Sequence, residues 1–303
     1  MGDFSMPDRL LRAAAGAALL LGAAPLAAQD PGAEPATPES PTDNAPSTGT
    51  VFDGDWLTLG IGGALTASYD GSDDYVLSPL PLVQGKLGGV SINPRAAGVA
   101  LDFIPDRSGE TGFSLGVAAR LNRNRASHIE DEVVEAYGEL DTAIEVGPTV
   151  GVTIPGVLHQ YDSLSVSVDA LWDVAGAHEG MTISPSITYF TPVSRGAAIS
   201  FALSARRVDD DYAAYYYSVP VAPAAVPVAQ RLAVFNAEGG FDKAGANLLL
   251  GVDFDGDLTN GGLAGFLLGG YSRMLGDAAD TPFTTVRGSR DQWFLGAGLG
   301  FTF

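Results

Sequence analysis

Residues 292–303, QWFLGAGLGFTF, decide the fold. Successive side chains of an extended strand point to opposite faces. One face of this segment is apolar and ends in two aromatic rings; it comprises Trp293, Leu295, Ala297, Leu299, Phe301 and Phe303. The opposite face carries mostly small or polar residues, Gln292, Gly296, Gly298, Gly300 and Thr302. An apolar face toward lipid and a small-residue face toward a lumen are typical of transmembrane strands, so the segment predicts the closing strand of an outer-membrane β-barrel.

The aromatic carboxy-terminus predicts a role in assembly as well as a place in the barrel. Leu299, Phe301 and Phe303 lie on the same face of the predicted strand, at its very end. We predict that these three residues form the barrel-assembly signal that the outer-membrane insertion machinery recognises. No other residue is assigned to a site from the sequence.

The amino-terminal residues predict export. Arg9 and Arg12 precede a short apolar run at residues 13–24, and small residues follow as far as Ala28. This layout is typical of a cleavable secretory signal, so residues 1–28 are predicted to be a signal peptide. Residues 29–49 contain no large apolar side chain and cannot bury enough surface to fold. The sequence therefore predicts a disordered periplasmic leader over residues 29–55 and the barrel over residues 56–303.

The alternation of apolar and small or polar residues repeats along residues 56–303. No segment after the predicted signal approaches the run of about 20 apolar residues that a transmembrane helix requires. Strands in a membrane must close into a barrel, because unpaired backbone groups cannot face hydrocarbon. The repeats predict an all-β fold, a transmembrane antiparallel β-barrel of about twelve strands with ten to fourteen possible, and an even number is expected.

The side of the membrane on which the longest connection lies is left open by the sequence. Twelve strands, with residues 90–104 and 231–241 each counted as one, place residues 208–227 on the periplasmic side, although long loops normally face outward. Additional strands at residues 133–140 and within residues 282–303 would reverse this placement and give about fourteen.

Composition narrows the classes of function and partner. The chain has no Cys, so it has neither disulfides nor a lipid-anchored Cys. Its net charge of −20 makes nucleic acid an unexpected partner. Charged residues make up only 17% while Gly numbers 39, which suits a barrel with acidic loops and a small-residue lumen. The expected surroundings are outer-membrane lipid and lipopolysaccharide, and no cofactor is expected.

Two patterns that could indicate catalysis have a simpler explanation. Residues 112–116, GFSLG, match the G-x-S-x-G nucleophile elbow, but an elbow needs a sharp strand-to-helix turn and here the alternation continues to Leu121. The three histidines, His128, His159 and His178, lie in predicted loops without a suitably spaced Ser and acid. The sequence therefore predicts no catalytic residues.

Two further patterns resemble ion or phosphate sites. Residues 253–257, DFDGD, resemble the start of a calcium loop, but Leu258 and Ala264 stand where an EF-hand has Gly and Glu. A solvated hairpin tip is favoured, and no metal site is predicted. The Gly-x-Gly runs at residues 60–62 and 296–300 lie within predicted strands, which favours close interior packing over a phosphate site.

An acidic and aromatic segment has two interpretations. Residues 209–217, DDDYAAYYY, are either a binding patch or an interfacial aromatic belt beside solvated acids. The sequence does not choose between them, and no ligand-binding residue is assigned.

Four short motifs resemble one family. Residues 69–75 (YDGSDDY), followed by PLPL at residues 79–82, resemble the opening of the MipA/OmpV family, that is, the MltA-interacting protein family of outer-membrane proteins. The further similarities are WDVAGAHEG at residues 172–180, Asp211 and Tyr212 with three tyrosines at residues 215–217, and MLGDAADTPF at residues 274–283. Together with the carboxy-terminal Phe, these motifs cover residues 56–303.

The resemblance implies location and function. It implies a barrel in the outer membrane of a Gram-negative bacterium without known catalytic residues. It also implies a scaffold that brings a lytic transglycosylase together with a peptidoglycan synthase, while other members of the family are adhesins or surface antigens. The residues themselves suggest an alternative, a small-solute pore, because the predicted inward face carries Ser163, Ser165, Ser167, Ser200 and Ser204.

Overall fold

The protein is a closed antiparallel barrel of twelve strands, which confirms the predicted fold class and strand number. The computed structural model describes residues 49–105 and 110–303. The predicted signal peptide and most of the predicted leader lie outside the described residues. Each strand pairs with its neighbours in the chain, and β1 pairs with β12 to close the barrel.

The strand bounds are as follows: β1 Trp56–Ala67, β2 Tyr75–Leu87, β3 Val90–Arg95, β4 Gly98–Asp102, β5 Gly112–Asn122, β6 Ala143–Pro155, β7 Ser163–Asp173, β8 Met181–Ser194, β9 Ala197–Val208, β10 Gly240–Asp253, β11 Gly262–Met274 and β12 Asp291–Thr302. The described residues contain four short α-helices, all in the connections: α1 Glu132–Ala136, α2 Asp210–Tyr217, α3 Gly276–Asp280 and α4 Pro282–Thr285. They also contain two 3-10 turns, at Val51–Asp53 and Val228–Gln230. No helix within the described ranges is both long and apolar enough to cross a membrane.

The period-two pattern places the apolar side chains outside. Along β1, for example, Leu59 and Ile61 are exposed on the outer surface, Ile61 to 74%. The intervening Gly60 and Gly62 face the lumen and pair with Gly300 and Gly298 of β12. A Cβ atom on Gly62 would lie 2.3 Å from the carbonyl oxygen of Ala297, so the small residues allow close approach across the closing seam. The predicted packing role of the Gly-x-Gly runs is therefore confirmed.

The lumen has two chemically different sides. The inward residues of β5 to β9 include cross-strand hydroxyl pairs such as Thr153 with Ser165, at 2.8 Å. The inward residues of β2, β10, β11 and β12 include large apolar side chains; this apolar sector comprises Leu80, Leu82, Leu249, Phe266, Leu268 and Phe294. All six are half-buried. The glycines opposite make room for the larger side chains, since the ring tip of Phe266 would lie 2.4 Å from a Cβ atom on Gly298.

Two strand assignments made from the sequence were wrong, and the errors compensate in the count. Residues 90–104 form not one strand but a hairpin, β3 and β4, in which Arg95 pairs with Gly98 across a two-residue turn. Residues 231–239 precede β10 without forming a barrel strand, because Leu232 packs into a loop core instead. The proposed extra strands are also wrong: α1 (Glu132–Ala136) covers the first half of residues 133–140, and α4 occupies the start of residues 282–303.

These corrections determine the side of the membrane on which the long connection lies. The 90–104 hairpin adds a strand before residues 209–239, so this connection lies at the end of the barrel opposite the termini. The connections at residues 123–142 and 275–290 lie at the same end, whereas the turns between β2 and β3 and between β8 and β9 contain two residues each. Long loops face outward in bacterial barrels, so the termini are periplasmic and the expectation that twelve strands place the long segment inward was wrong.

The pairing between neighbouring strands is shortest between β2 and β3. These strands share three residue pairs, Gly85 with Ile92, Lys86 with Ser91 and Leu87 with Val90. By contrast, β1 and β2 are paired from Trp56 with Lys86 to Ala67 with Tyr75. The reason is the early turn after Arg95, which sends the chain back into β4 before it has followed β2 upward.

Candidate functional site

The outer connections fold together over the barrel mouth and form the candidate site. We call this assembly the loop cap; it comprises residues 68–74, 123–142, 174–180, 209–239 and 275–290. Its apolar side chains form two cores. The first contains Val208, Tyr212, Ala213, Tyr216, Tyr217, Ala237, Met274, Ala278 and Ala279, and the second contains Tyr69, Ile129, Val133, Val134, Val219, Val226, Leu232 and Phe283. Loops that share buried cores are ordered parts of the fold, so the outer end of the barrel is covered.

The tyrosines of α2 lie at the centre of the cap. The rings of Tyr212, Tyr216 and Tyr217 are at most 2% exposed, and Tyr215 is half-buried. The side chain of Asp209 caps the helix by accepting a hydrogen bond from the Tyr212 amide at 3.1 Å. The interpretation as a lipid-facing aromatic belt is therefore wrong, because the rings are buried within the cap, whereas the binding patch stays a prediction.

Beneath the tyrosines lies a network that we call the charge cluster: Arg206, Tyr217 and Asp242, which are buried, and Asp70 and Lys243, which are half-buried. The Nε of Arg206 donates to the Asp242 carboxylate at 3.0 Å, and its Nη2 donates to Asp70 Oδ2 at 2.9 Å. Lys243 Nζ donates to Asp70 Oδ1 at 2.8 Å, and the Tyr217 hydroxyl donates to Asp242 Oδ2 at 2.7 Å. A register shift between Phe241 and Lys243 turns Asp242 toward Arg206. The cluster joins strands β9 and β10 to the cap.

A second network lies on the opposite wall. Glu145 of β6 pairs with Arg120 of β5, accepts from Asn122 Nδ2 at 2.9 Å and lies 3.4 Å from Nε2 of His178. The Nδ1 of His178 accepts from the Gly180 amide at 3.0 Å, so its Nε2 carries the proton toward Glu145 in the neutral ring. The network fixes the loop that bears His178 to the barrel wall.

Tyr212 connects the two networks. Its hydroxyl accepts from Asn122 Nδ2 at 3.0 Å, and its ring lies 5.0 Å from the Arg206 guanidinium carbon. The rings of His178 and Tyr212 are in a T-shaped arrangement, with their centroids 4.8 Å apart. Because both networks converge on one buried ring, the cap and the upper barrel form a single packed and charge-paired unit.

Burial and neighbouring charges shift the pKa values of several groups in the cap. Burial alone would raise the pKa of Asp70, but Lys243 and Arg206 lower it below its ordinary value. Burial lowers the pKa of Arg125 to about 10 and raises the pKa of Tyr217. A carboxyl with a lowered pKa stabilises the fold above its unfolded pKa of about 3.9 and loses that contribution as the pH falls through the folded value. The Asp70 contacts are therefore retained in mild acid.

The remaining residues singled out from the sequence do not join the cap networks. Leu299, Phe301 and Phe303 lie on the lipid-facing side at the periplasmic end of β12, and the rings of Phe301 and Phe303 are 4.9 Å apart. Ser114 lies within β5, where no strand-to-helix turn exists. The 253–257 segment forms the tip between β10 and β11, where Asp253 Oδ1 accepts three backbone N–H groups.

No metal site was predicted from the sequence. Within residues 49–105 and 110–303, no group of three or more His, Cys, Asp or Glu side chains is placed to hold a metal ion.

One periplasmic turn is unusually well fixed. In residues 156–162, the Asp162 carboxylate accepts the backbone N–H groups of Val157, Leu158 and His159 at 2.7–3.0 Å and the Tyr189 hydroxyl at 2.7 Å. Burial alone would raise the pKa of Asp162, but the Tyr189 hydroxyl and these N–H groups lower it. The turn holds the Leu158 side chain 77% exposed at its tip. Such a fixed apolar projection is suited to contact with another molecule.

The charge cluster was missed by the sequence reasoning, although one signal was present. Arg206 falls on the inward side of the alternation in β9, and Lys243 is one of only two lysines in the chain. A cation on the inward face of a membrane strand calls for a buried partner. Its partners could not be found, since Asp70 is 136 residues away in the chain.

The family model described as MltA-interacting protein MipA matches residues 59–303. A search of curated protein sequences finds no match. Among solved structures, a COG4313 outer membrane channel from Pseudomonas putida F1 is 12% identical, with 86% of this chain and 100% of that chain covered and a TM-score of 0.43.

Two further solved structures have lower TM-scores. OmpT of Vibrio cholerae is 8% identical, with 82% of this chain and 97% of that chain covered and a TM-score of 0.33. The toluene transporter TodX of Pseudomonas putida is 9% identical, with 82% and 89% covered and a TM-score of 0.32. None of these scores carries functional information. The family match, which extends over most of the chain and all twelve strands except the first residues of β1, shows that this outer-membrane β-barrel belongs to the MltA-interacting protein MipA family.

Proposed function

We propose that this barrel is a non-enzymatic scaffold that holds a lytic transglycosylase, together with a peptidoglycan synthase, at the inner face of the outer membrane. The family description, which names interaction with MltA, supports the proposal. The observation that carries it is the periplasmic turn at residues 156–162, where Asp162 holds Leu158 exposed on a rigid backbone. A preformed apolar contact loses little conformational entropy on binding, which favours its use as an anchor.

Placement of the other exposed groups at this end of the barrel is consistent with a docking surface. The tip between β10 and β11 adds Phe254, which is 61% exposed, beside the acidic residues Asp255 and Asp257. An apolar anchor surrounded by charge is the usual composition of a protein interface. The enzyme would be held here by its own apolar and basic surface, and the barrel would contribute position rather than chemistry.

The first prediction concerns cross-linking from Leu158. A photoreactive amino acid at position 158 is expected to form adducts with a lytic transglycosylase in living cells, because Leu158 is the most exposed apolar side chain of its turn. The matched control is position 221, since Val221 is 80% exposed but lies in the loop cap. Mass spectrometry of the adducts is the measurement. Absence of any cell-wall enzyme from the position 158 adducts, with the barrel folded, would contradict the scaffold.

A small-solute pore is the second candidate, and one observation favours it. Ser204 points inward between Arg206 and Ala202 of β9, yet it is exposed, so the lumen beneath the cap has free space. The loop cap opposes an open pore, because its buried cores cover the outer mouth. We therefore expect conduction through this barrel to depend on movement of the cap.

A further inference from the structure

Part of β2 has no partner strand on the side of β3. Above Gly85, within the described part of the chain, β2 has backbone pairing with β1 alone, because the β2–β3 pairs end at Gly85 with Ile92 and the chain turns into β4 after Arg95. We call the position between β2 (residues 76–84) and the tip of the β3–β4 hairpin (residues 93–98) the lateral slot. An unpaired strand edge in hydrocarbon is unfavourable unless it borders water or protein, so the slot requires an explanation.

The direction of the backbone groups along β2 follows from the register. The Phe303 amide donates to the Leu57 carbonyl at 3.0 Å, so Leu57 bonds to β12. Alternate residues of an antiparallel strand bond to opposite neighbours. The even-numbered residues of β1 therefore bond to β2, and their partners in β2 are also even-numbered, as in Gly60 with Leu82. The odd-numbered residues of β2 direct their backbone groups into the lateral slot.

The sequence of β2 is adapted to this edge. The odd-numbered residues that face the slot are Leu77, Pro79, Pro81 and Val83. Two of these four are prolines, which have no N–H to leave unpaired. Proline is found in sheets on edges where no partner strand follows. The two prolines lower the energetic cost of the open edge, and they prevent the slot from being closed by regular pairing.

A salt bridge holds the other side of the slot away from β2. Arg95, at the tip of β3, donates to Asp169 of β7 at 2.8 Å, and Asp169 also accepts the Thr149 hydroxyl at 2.5 Å. This contact ties the hairpin to the wall on the far side of β5 and β6. The lateral slot is thus a built feature of the fold, with prolines on one side and an anchored hairpin on the other.

The apolar sector of the lumen adjoins the slot. Leu80 and Leu82 of β2 point inward at its edge, while Leu77 and Pro79 point outward to the membrane. A lumen that carried only water and ions would gain nothing from Phe266 and Phe294, which continue the apolar surface around the wall. Apolar side chains therefore lie on both faces of β2 at the slot, toward the hydrocarbon layer and toward the interior.

We propose that the lateral slot is a route by which small, uncharged apolar molecules pass between the membrane hydrocarbon and the barrel lumen. Apolar side chains on both faces of β2 would reduce contact with water at the step from lipid to lumen. The loop cap covers the outer mouth, so the slot admits molecules from the side. This activity does not depend on the proposed scaffold role, which concerns the periplasmic turns.

The second prediction tests this route with a small apolar probe, an iodophenyl diazirine, which dissolves in bilayers and labels its contacts on illumination. With the full chain in liposomes, we expect labelling of the inward Phe266 and Phe294 as well as of the outward Leu295. In the double variant Leu80→Cys with Ala97→Cys, whose positions continue the β2–β3 register and leave the Arg95–Asp169 salt bridge intact, a disulfide would bind the hairpin to β2. Oxidation is expected to abolish labelling of the inward pair only, and reduction is expected to restore it.

A second variant covers the case in which that disulfide does not form. Leu82→Arg places a charge at the inner edge of the slot, and Ser204→Arg places the same charge on the opposite side of the lumen. Labelling of Phe266 and Phe294 is expected to be lost in the first and retained in the second, with both variants folded by heat-modifiable gel migration. The proposal is overturned if the inward residues of the unaltered chain are unlabelled, or if labelling survives closure of the slot or Leu82→Arg.

Discussion

Replacement of Arg206 by Met is expected to destabilise the barrel by about 3–5 kcal/mol and to loosen the loop cap. The substitution leaves Asp242 buried without its cation and leaves Asp70 with Lys243 alone. A buried charge without a partner costs far more than the original ion pair contributed. Because Arg206 also lies against the Tyr212 ring, the cap core is disturbed as well. Urea unfolding gives the stability change, and planar-bilayer recordings are expected to show increased current.

The matched control is Arg273→Met. Arg273 pairs with Asp291 at 2.9 Å, but both side chains are about half exposed, so the expected loss is below about 1 kcal/mol. Asp242→Asn combined with Arg206→Met should recover part of the stability, since it removes the orphaned carboxylate. Equal losses from Arg206→Met and Arg273→Met would show that the charge cluster does not secure the cap.

Deletion of Phe303 is expected to leave the protein in the periplasm, where it is degraded. Phe303 ends the predicted assembly signal and exchanges two backbone hydrogen bonds with Leu57, at 3.0 and 3.5 Å. The lipid-facing pattern from Trp293 to Phe301 remains after the deletion, so the defect should lie in delivery more than in the stability of a finished barrel. The measurement is the amount of the fast-migrating, SDS-resistant band on gels without boiling.

Two further variants identify the cause of a defect. Phe303→Ala keeps the backbone hydrogen bonds and removes the ring, so it should reproduce most of the loss if the ring is recognised. Phe254→Ala removes a ring of similar exposure from a periplasmic turn and should assemble normally. A normal folded band from the Phe303 deletion would refute the assignment of Leu299, Phe301 and Phe303 as the signal.

The strands with strict alternation could be predicted from the sequence, because a membrane strand needs one apolar face along its whole length. The segments around Ile61 in β1 and Leu295 in β12 show this clearly. The 90–104 hairpin could not be predicted, since its two-residue turn contains no Gly, Asn or Asp and places Ala97 at a φ of 55°. Residues 231–239 were wrongly predicted to form a strand, because Leu232 and Phe235 give the segment the apolar composition of a strand. Both side chains pack into the loop cap instead.

The candidate site was less predictable than the fold. Arg206 and Asp242 are brought together by the pairing of β9 with β10, whereas Asp70 comes from the loop after β1 and meets them only in the folded barrel. The tyrosines at residues 212–217 have a composition that suits a surface, and their burial depends on how the cap loops pack on one another. Neither arrangement can be predicted from local sequence, because both depend on contacts between distant segments.

The most direct test of this account is the side of the membrane on which the loop cap lies. The chain has no Cys, so single Val221→Cys and Leu158→Cys variants offer one thiol each at similarly exposed positions. A maleimide on a polyethylene glycol chain too large for porins is applied to intact cells. Position 221 is expected to be labelled in intact cells, whereas position 158 is expected to be labelled only after the outer membrane is permeabilised. Labelling of position 158 in intact cells, with position 221 protected, would contradict this account.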